Sequence, residues 1–260
     1  MAMQVSLYEL SQWLGGFLWP LLRIGAVLAV GPVFGARSVP VRVRVVLALA
    51  LTLLVVSMRG PQALPDPLSI PGVLAIAREL VIGAAIGLSL QLVFAAVVVG
   101  GQMVATSMGL GFASIVDPQN GVQVPVLSQF YLLTATLVFL ALDGHLVLID
   151  LLVRSFEVLP PGGPGPGAAD FWAVAAWGSH LFAGGVVIAL PVVAAALLTN
   201  LAFGVVTRAA PQLNIFAVGF PVTLMVGFLA MLATLPHILP RLGALTLSAT
   251  DLVRELLSGG

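Results

Sequence analysis

The chain contains no cysteine and no lysine, and only 8% of its 260 residues are charged. The absence of cysteine excludes disulfide bonds, thiolate metal sites and cysteine nucleophiles. All ten basic residues are arginine and ten acidic residues balance them, so the chain has no electrostatic basis for binding nucleic acid. Codon bias explains the absence of lysine at least as well as a functional demand for guanidinium groups.

Apolar residues are abundant: they make up 60% of the chain, and the mean hydropathy is +1.16. A soluble protein of this length has no core large enough to bury so much apolar surface. We therefore predict an all-α integral membrane protein with about six kinked apolar helices in hairpins and an amphipathic C-terminal helix. The first segment lacks a basic n-region and a clear cleavage site, so it is predicted to be retained rather than cleaved as a signal peptide.

Prolines and turn residues divide the apolar segments from one another. Residues 59–72, which hold four prolines, are predicted to form an exposed connector. Pro191 and Pro221 interrupt the last two segments and predict bends there. Residues 241–257 have the pattern of an amphipathic helix. The predicted apolar segments are 13–35, 45–58, 73–104, 126–153, 171–206 and 215–235.

Residues 159–169 are the clearest boundary, because proline, glycine and alanine make up almost the whole stretch. Such a composition is typical of a linker. We therefore predict one helical region over residues 1–158 and a helical hairpin with a tail over residues 170–260. The length of the linker is expected to matter more than its sequence, since a stretch without large side chains contributes little to packing.

Several residues within the apolar segments need an explanation. An unpaired charge at Arg23 would cost about 2.5–3.5 kcal/mol on insertion scales, so it is expected to face an acid, carbonyl groups or water. Gly83 and Gly87 have a small-xxx-small spacing that permits close approach of a neighbouring helix. Asp143 and His145 are too close in sequence to share one helical face. No second histidine stands at ligand spacing, so a metal site is not predicted.

The stretch 100–129 joins two apolar segments without being either strongly apolar or charged. It is rich in glycine, and its Asp-Pro and Asn-Gly pairs are turn chemistry, with Asp117 as its only charge. Phe112, Ile115 and Val116 lie just before these turns. A glycine-rich loop with apolar side chains fits a re-entrant turn that fills space, and it equally fits a plug or gate at a constriction.

A second polar turn, TRAAPQLN, lies between the last two apolar segments and contains Arg208, Gln212 and Asn214. One interpretation is a capped turn at a membrane surface. The other is a contact surface at one end of an assembly, because a guanidinium group can donate several hydrogen bonds.

The sequence contains no supported Ser/His/Asp arrangement, no phosphate-binding glycine loop ending in lysine and no carboxylate pair beside a plausible cleft. We therefore predict neither an enzyme nor a cofactor. Two classes remain open on composition. One is a secondary transporter that uses Arg23, Asp143 and His145 along an ion or solute path. The other is a structural subunit of a protein-export pore. Basic residues fall nearly equally on alternate sides, so they indicate no membrane orientation.

Two long blocks of sequence carry a resemblance to a known family. The first sequence block, residues 101–130, reads GQMVATSMGLGFASIVDPQNGVQVPVLSQF, and the second sequence block, residues 200–222, reads NLAFGVVTRAAPQLNIFAVGFPV. Both resemble signatures of the flagellar type III export-gate R subunit family (FliR). Their order, spacing and surrounding hydropathy agree over about residues 10–257, and the injectisome counterpart of the family stays open.

The resemblance implies a function, a location and partners. Residues 1–158 would be similar to the P subunit of the gate and residues 170–260 to its two-helix Q subunit. The chain would complete a hetero-oligomeric ring with FliP and FliQ in the bacterial inner membrane, at the flagellar basal body, with the core projecting toward the periplasm. FlhA, FlhB, membrane lipid and unfolded flagellar proteins in transit are further expected partners.

The resemblance also implies roles for individual residues. The loop over residues 106–125 is expected to project into the channel as a plug. Its expected residues are Met108, Gly109, Gly111, Phe112, Ile115, Val116, Asp117, Pro118 and Gly121. The residues expected at contacts between subunits are Arg23, Gly83, Gly87, Asn200, Arg208, Pro211, Gln212 and Asn214.

Overall fold

The computed structural model describes residues 7–59, 69–110, 126–163, 165–210 and 215–258, and these residues contain α-helices and no strand. The prediction of an all-α protein is confirmed. Residues 111–125 and 211–214, which include most of the central loop and the second polar turn, lie outside the described residues. The helices are α1 (Leu7–Val30), α2 (Val41–Arg59), α3 (Ile70–Ser107), α4 (Val126–Ala141), α5 (Gly144–Val158), α6 (Ala168–Ala209) and α7 (Ile215–Ser258).

Four of these helices, α2, α3, α6 and α7, are long and apolar enough to cross a membrane. The pair α4 and α5 would make a fifth span if the two are taken together. The apolar part of α1 with described side chains, Gly16–Val30, is shorter. The helices therefore support an integral membrane protein by length and composition.

The predicted fourth segment, 126–153, is two helices bent by 65° rather than one. Asp143 separates them in the left-handed conformation, with φ 56° and ψ 24°, and Gly144 begins α5. Aspartate tolerates this conformation better than most residues because its short polar side chain can bond locally. The single-segment prediction missed the break because it placed Asp143 and Gly144 inside one apolar segment.

The predicted boundary at residue 235 is also absent, because α7 continues for 44 residues through Pro236 and Pro240. A proline removes one backbone donor, and helices in apolar surroundings accommodate this loss when neighbouring groups satisfy the open carbonyl. The amphipathic tail is the last part of α7. Leu252 and Leu256 are buried there, whereas Asp251 is exposed.

The chain divides into two compact units, each assembled from separate stretches. Unit 1 comprises Met1–Gln91, Asp143–Trp177 and Ser248–Gly260, and unit 2 comprises Leu92–Leu142 and Gly178–Leu247. The bounds of the two units are set by contacts between residues, and none of them falls within the linker at residues 159–169. The predicted division at residues 159–169 concerns likeness to P and Q subunits, and it stays a prediction.

Glycines bring helices close together in both units. In unit 1 a Cβ on Gly83 would lie 2.4 Å from the Arg23 carbonyl oxygen, and a Cβ on Gly87 would lie 2.9 Å from the Gly31 nitrogen. The predicted close approach is therefore confirmed, with α1 as the neighbour of α3. In unit 2 a Cβ on Gly100 would lie 2.9 Å from the Gly185 carbonyl oxygen, so α3 and α6 approach equally closely.

The linker is docked rather than free of contacts. The Arg78 guanidinium donates a hydrogen bond to the Gly163 carbonyl oxygen. A Cβ on Gly165 would lie 2.6 Å from Arg78 Cδ. The long side chain of Arg78 on α3 therefore contacts the linker, and the expectation that its length matters more than its sequence stays a prediction.

Candidate functional site at the start of the central loop and at the buried arginine

The central loop leaves α3 immediately after Ser107. Met108 follows with none of its surface exposed, and Gly109 adopts a φ of +81°. A side chain at residue 109 would be strained in this left-handed conformation, so glycine is required for the chain to turn here. The prediction that Gly109 allows a sharp fold is confirmed.

Both residues are seated against α7. A Cβ on Gly227 would lie 2.7 Å from Met108 Cγ and from its Cε, so the methionine fills the space that this glycine leaves. The ring of Phe220 lies 3.1 Å from the position that a Cβ on Gly109 would take. Phe220 belongs to the second sequence block, so the structure brings the two blocks into contact at the point where the loop begins.

Asn200, the first residue of the second sequence block, also ties α6 to α7. The Thr223 hydroxyl donates a hydrogen bond of 3.0 Å to Oδ1 of Asn200. The threonine is buried, whereas the asparagine is exposed, so its amide group can also reach a neighbour. Arg208 is exposed in the last turn of α6, where a cation is favourable to the helix dipole.

The second candidate lies in unit 1, where Arg23 is completely buried. Its Nε donates 2.7 Å to Glu79 Oε2, and its Nη2 donates 3.0 Å to Glu79 Oε1. Nη1 donates to the carbonyl and hydroxyl oxygens of Ser155, and Nη2 also donates to the Leu159 carbonyl oxygen. The Phe156 ring lies 4.3 Å from the guanidinium carbon. The group is thus paired, hydrogen-bonded and covered by an aromatic face.

This arrangement is a structural tie between α1, α3 and the C-terminal end of α5. Carbonyls at a helix end need donors, and Arg23 supplies one for the Leu159 carbonyl oxygen and a second one for the Ser155 carbonyl oxygen, which also accepts from the Leu159 N–H. The expected pairing of Arg23 with an acid and with carbonyl groups is confirmed. Asp143 and His145, which the transporter hypothesis groups with it, are not among its hydrogen-bond partners in the described residues.

The predicted subunit contacts divide into two groups. Arg23, Gly83 and Gly87 pack α1 against α3 within the chain, so the contacts that the structure gives them are not contacts between subunits. Asn200 and Arg208 are exposed. The remaining predicted residues lie outside the described residues: Gly111, Phe112, Ile115, Val116, Asp117, Pro118, Gly121, Pro211, Gln212 and Asn214. In the described part of the chain, no group of three or more metal-ligating side chains is placed to hold a metal ion.

Sequence reasoning missed Glu79, Phe220 and Gly227 as parts of these sites. Glu79 was detectable in principle, because an acid in one apolar helix and a base in another are expected to pair. No comparable sequence pattern identifies Phe220 and Gly227 as the residues that contact the start of the loop. Nothing in a sequence tells which glycine in a glycine-rich helix faces a methionine more than a hundred residues earlier.

Comparison with known proteins adds independent evidence. Residues 14–249 match the model of the family described as bacterial export proteins, family 1. The chain is 38% identical to the flagellar biosynthetic protein FliR of Escherichia coli over 98% of each chain, and 38% identical to that of Pectobacterium carotovorum over 96% of each. It is 32% identical to FliR of Bacillus subtilis over 83% of this chain and 84% of the relative.

Proposed function

Because the chain belongs to bacterial export protein family 1, together with the FliR proteins that it matches over nearly their full length, we propose that it is a structural subunit of the flagellar type III export gate. At the coarser level it is a membrane component of flagellar protein export. In the finer proposal it forms part of the channel through which unfolded flagellar proteins pass. The contact between the two sequence blocks carries this proposal, since it joins the start of the central loop to α7.

We propose that the central loop is the plug of this channel. Its first residues support the idea, because Met108 and Gly109 hold the start of the loop in one direction against α7. Apolar side chains at a constriction close a pore by excluding water, and Phe112, Ile115 and Val116 would supply them.

We propose FliP and FliQ as partners in the ring, with FlhA and FlhB nearby. Exposed polar groups on helices of membrane length support the proposal, because such groups need partners in apolar surroundings. Asn200 and Arg208 meet this description. Pro211, Gln212 and Asn214 follow Arg208 in sequence and are included in the proposal. Arg23, Gly83 and Gly87 are not, since their contacts lie within the chain.

We propose that the assembled core stands out of the bilayer toward the periplasm, and the lengths of the helices support the protrusion but not its direction. The helices α3, α6 and α7 contain 38, 42 and 44 residues. At about 1.5 Å per residue each is about 57–66 Å long, roughly twice the apolar thickness of a bilayer. An assembled ring would cover the parts that lipid does not.

The buried arginine does not support the transporter hypothesis. A transport path is expected to use a charge that can exchange partners, whereas the Arg23 guanidinium is held by Glu79 and by the carbonyl groups at the end of α5. Membership of the export family favours the export proposal.

Deletion of residues 111–116 tests the plug. The variant would be expressed with the other gate subunits in a strain that lacks its own FliR. We expect an assembled complex and a membrane permeable to small solutes, because the apolar constriction is gone. Replacing the exposed Leu133 and Leu137 of α4 by alanine is the control and should cause no leak. An assembled deletion variant without increased conductance would contradict the plug, while restored flagellin export would still support the gate.

Arg208→Ala tests the proposed contact surface. The loss of several hydrogen-bond donors should weaken co-purification with a neighbouring subunit and reduce swarming. Arg254→Ala is the matched control, because this exposed arginine pairs only with Asp251 on the same helix in the described residues. Unchanged co-purification and swarming in the Arg208 variant would favour a capped turn.

A further inference from the structure

The middle of α6 contains a proline whose consequence is not visible in the sequence. Pro191 lies inside Ala168–Ala209 and has no backbone N–H. In an α-helix the N–H of residue 191 would donate to the carbonyl oxygen of Val187, four residues earlier. The proline removes this donor and its ring pushes the same carbonyl outward, so Val187 is left with an open acceptor in an apolar helix.

A side chain from the next helix fills this position. The Nη1 of Arg241, on α7, donates a hydrogen bond to the Val187 carbonyl oxygen, across 54 residues of sequence. Both residues belong to unit 2. We infer that Arg241 is the replacement donor for the carbonyl that Pro191 opens, so that the two positions act as one device that pairs α6 with α7.

The device combines two features that are each unfavourable alone. A carbonyl without a donor is costly in apolar surroundings, and so is a guanidinium within a helix apolar enough to span a membrane. Joined together, the carbonyl gains a charge-assisted hydrogen bond and the guanidinium gains an acceptor. The pair also specifies which part of α7 lies beside the proline, because a donor one turn away could not reach the open carbonyl.

Two threonines of α6 and α7 are already used within their own helices. Threonines in the same helices bond to carbonyls of their own preceding turn: Thr199 donates to Ala195 and Thr234 to Ala230. The second polar tie in this hairpin, between Asn200 and Thr223, lies 13 residues farther along α6, about 20 Å away at the helical rise. The two ties fix the register of α6 and α7 at separated points, where apolar contacts alone permit sliding.

A double-mutant comparison in the complete export complex tests the inference. Arg241→Met removes the donor and keeps an apolar stem, whereas Pro191→Ala restores the backbone donor. With the natural Pro191, Arg241→Met is expected to lower the thermal midpoint of the detergent-solubilised complex by about 2–4 °C. In the Pro191→Ala background the same change is expected to lower it by less than half as much. Arg254→Met, an exposed arginine on the same helix, should have the same small effect in both backgrounds.

If Arg241→Met lowered the thermal midpoint equally in the two backgrounds, the inference would be overturned, because the arginine would then act independently of the proline. No loss in the natural background would overturn it as well. Where Pro191→Ala does not accumulate, Arg241→Lys in the natural background decides the question. Lysine keeps one charged donor, so the thermal midpoint is expected to fall much less than it does for Arg241→Met. A fall as large as that for Arg241→Met would contradict the role of Arg241 as a donor.

Discussion

The helices α2 and α3 have nearly the same hydropathy, 2.2 and 2.3 over their most apolar windows, yet 17% of the α2 window is buried and 61% of the α3 window. Close contacts at glycine are one part of the difference. The sequence of α2 contains no glycine, whereas α3 has Gly83 and Gly87 against α1 and Gly100 against α6. Hydropathy therefore indicates that a helix suits a membrane, and it does not indicate how closely other helices pack on it.

The largest effect is expected where α3 holds a buried charge. Glu79→Ala leaves the Arg23 guanidinium buried without its acid, which typically costs about 3–5 kcal/mol. The loss should appear as a strong fall in the amount of folded protein in membranes. Replacing both residues, by Arg23→Met with Glu79→Leu, should recover much of it, because no charge then remains unpaired.

The control is an ion pair of similar geometry on the surface. Arg154 and Asp150 are 2.8 Å apart, but their side chains are 65% and 54% exposed. Asp150→Ala should change protein levels little, since exposed pairs contribute little to stability. An equal fall for the surface and buried pairs would show that burial is not what makes Arg23 and Glu79 important.

A second comparison tests burial of apolar side chains directly. Ile86 of α3 is fully buried and Leu53 of α2 is 62% exposed. Ile86→Ala is expected to cost about 2–5 kcal/mol through lost contacts and a cavity. Leu53→Ala should cost much less, because lipid tails replace the contacts of an exposed leucine. Thermal denaturation of the solubilised protein measures both, and similar shifts would mean that a partner covers α2.

Replacing a glycine by alanine adds one methyl group and should change the stability less than the substitutions above. The change is expected to have opposite signs at Gly83 and Gly25. Gly83→Ala places a Cβ 2.4 Å from the Arg23 carbonyl oxygen, so α1 and α3 must move apart, at a cost of about 1–3 kcal/mol. Gly25→Ala meets nothing within 4 Å and should stabilise α1 by about 0.5–1 kcal/mol. Protease resistance in membranes should fall for the first variant and rise for the second.

The smallest effect is expected in the linker. Gly165→Ala brings a Cβ within 2.6 Å of Arg78 Cδ, but that side chain is flexible and can adjust. Gly167→Ala meets only Asp170 Oδ2, at 3.7 Å, and serves as the control. We expect a slight loss of swarming for Gly165→Ala and no loss for Gly167→Ala. Identical swarming of the two variants would support the view that only the length of the linker matters.

The candidate sites were predictable to different degrees. Arg23 was recognised as a residue that needs an acid and carbonyl groups, because the cost of a charge in an apolar helix is a local property. Gly109 was recognised as a turn residue for the same kind of reason. Glu79 as the partner and Gly227 as the seat of Met108 were not, since both depend on how distant helices pack.

The sequence by itself determined the class of this protein, most helix positions and the family, because apolar length, proline and glycine act over a few residues and the two sequence blocks are long. It did not determine the break at Asp143 or the continuation of α7 through Pro236 and Pro240, where neighbouring groups decide whether a helix bends or persists. Only the tertiary structure decided that α1 packs on Gly83 and that Arg241 meets the carbonyl opened by Pro191. Such pairings are set by the simultaneous fit of whole helices, and no local pattern specifies them.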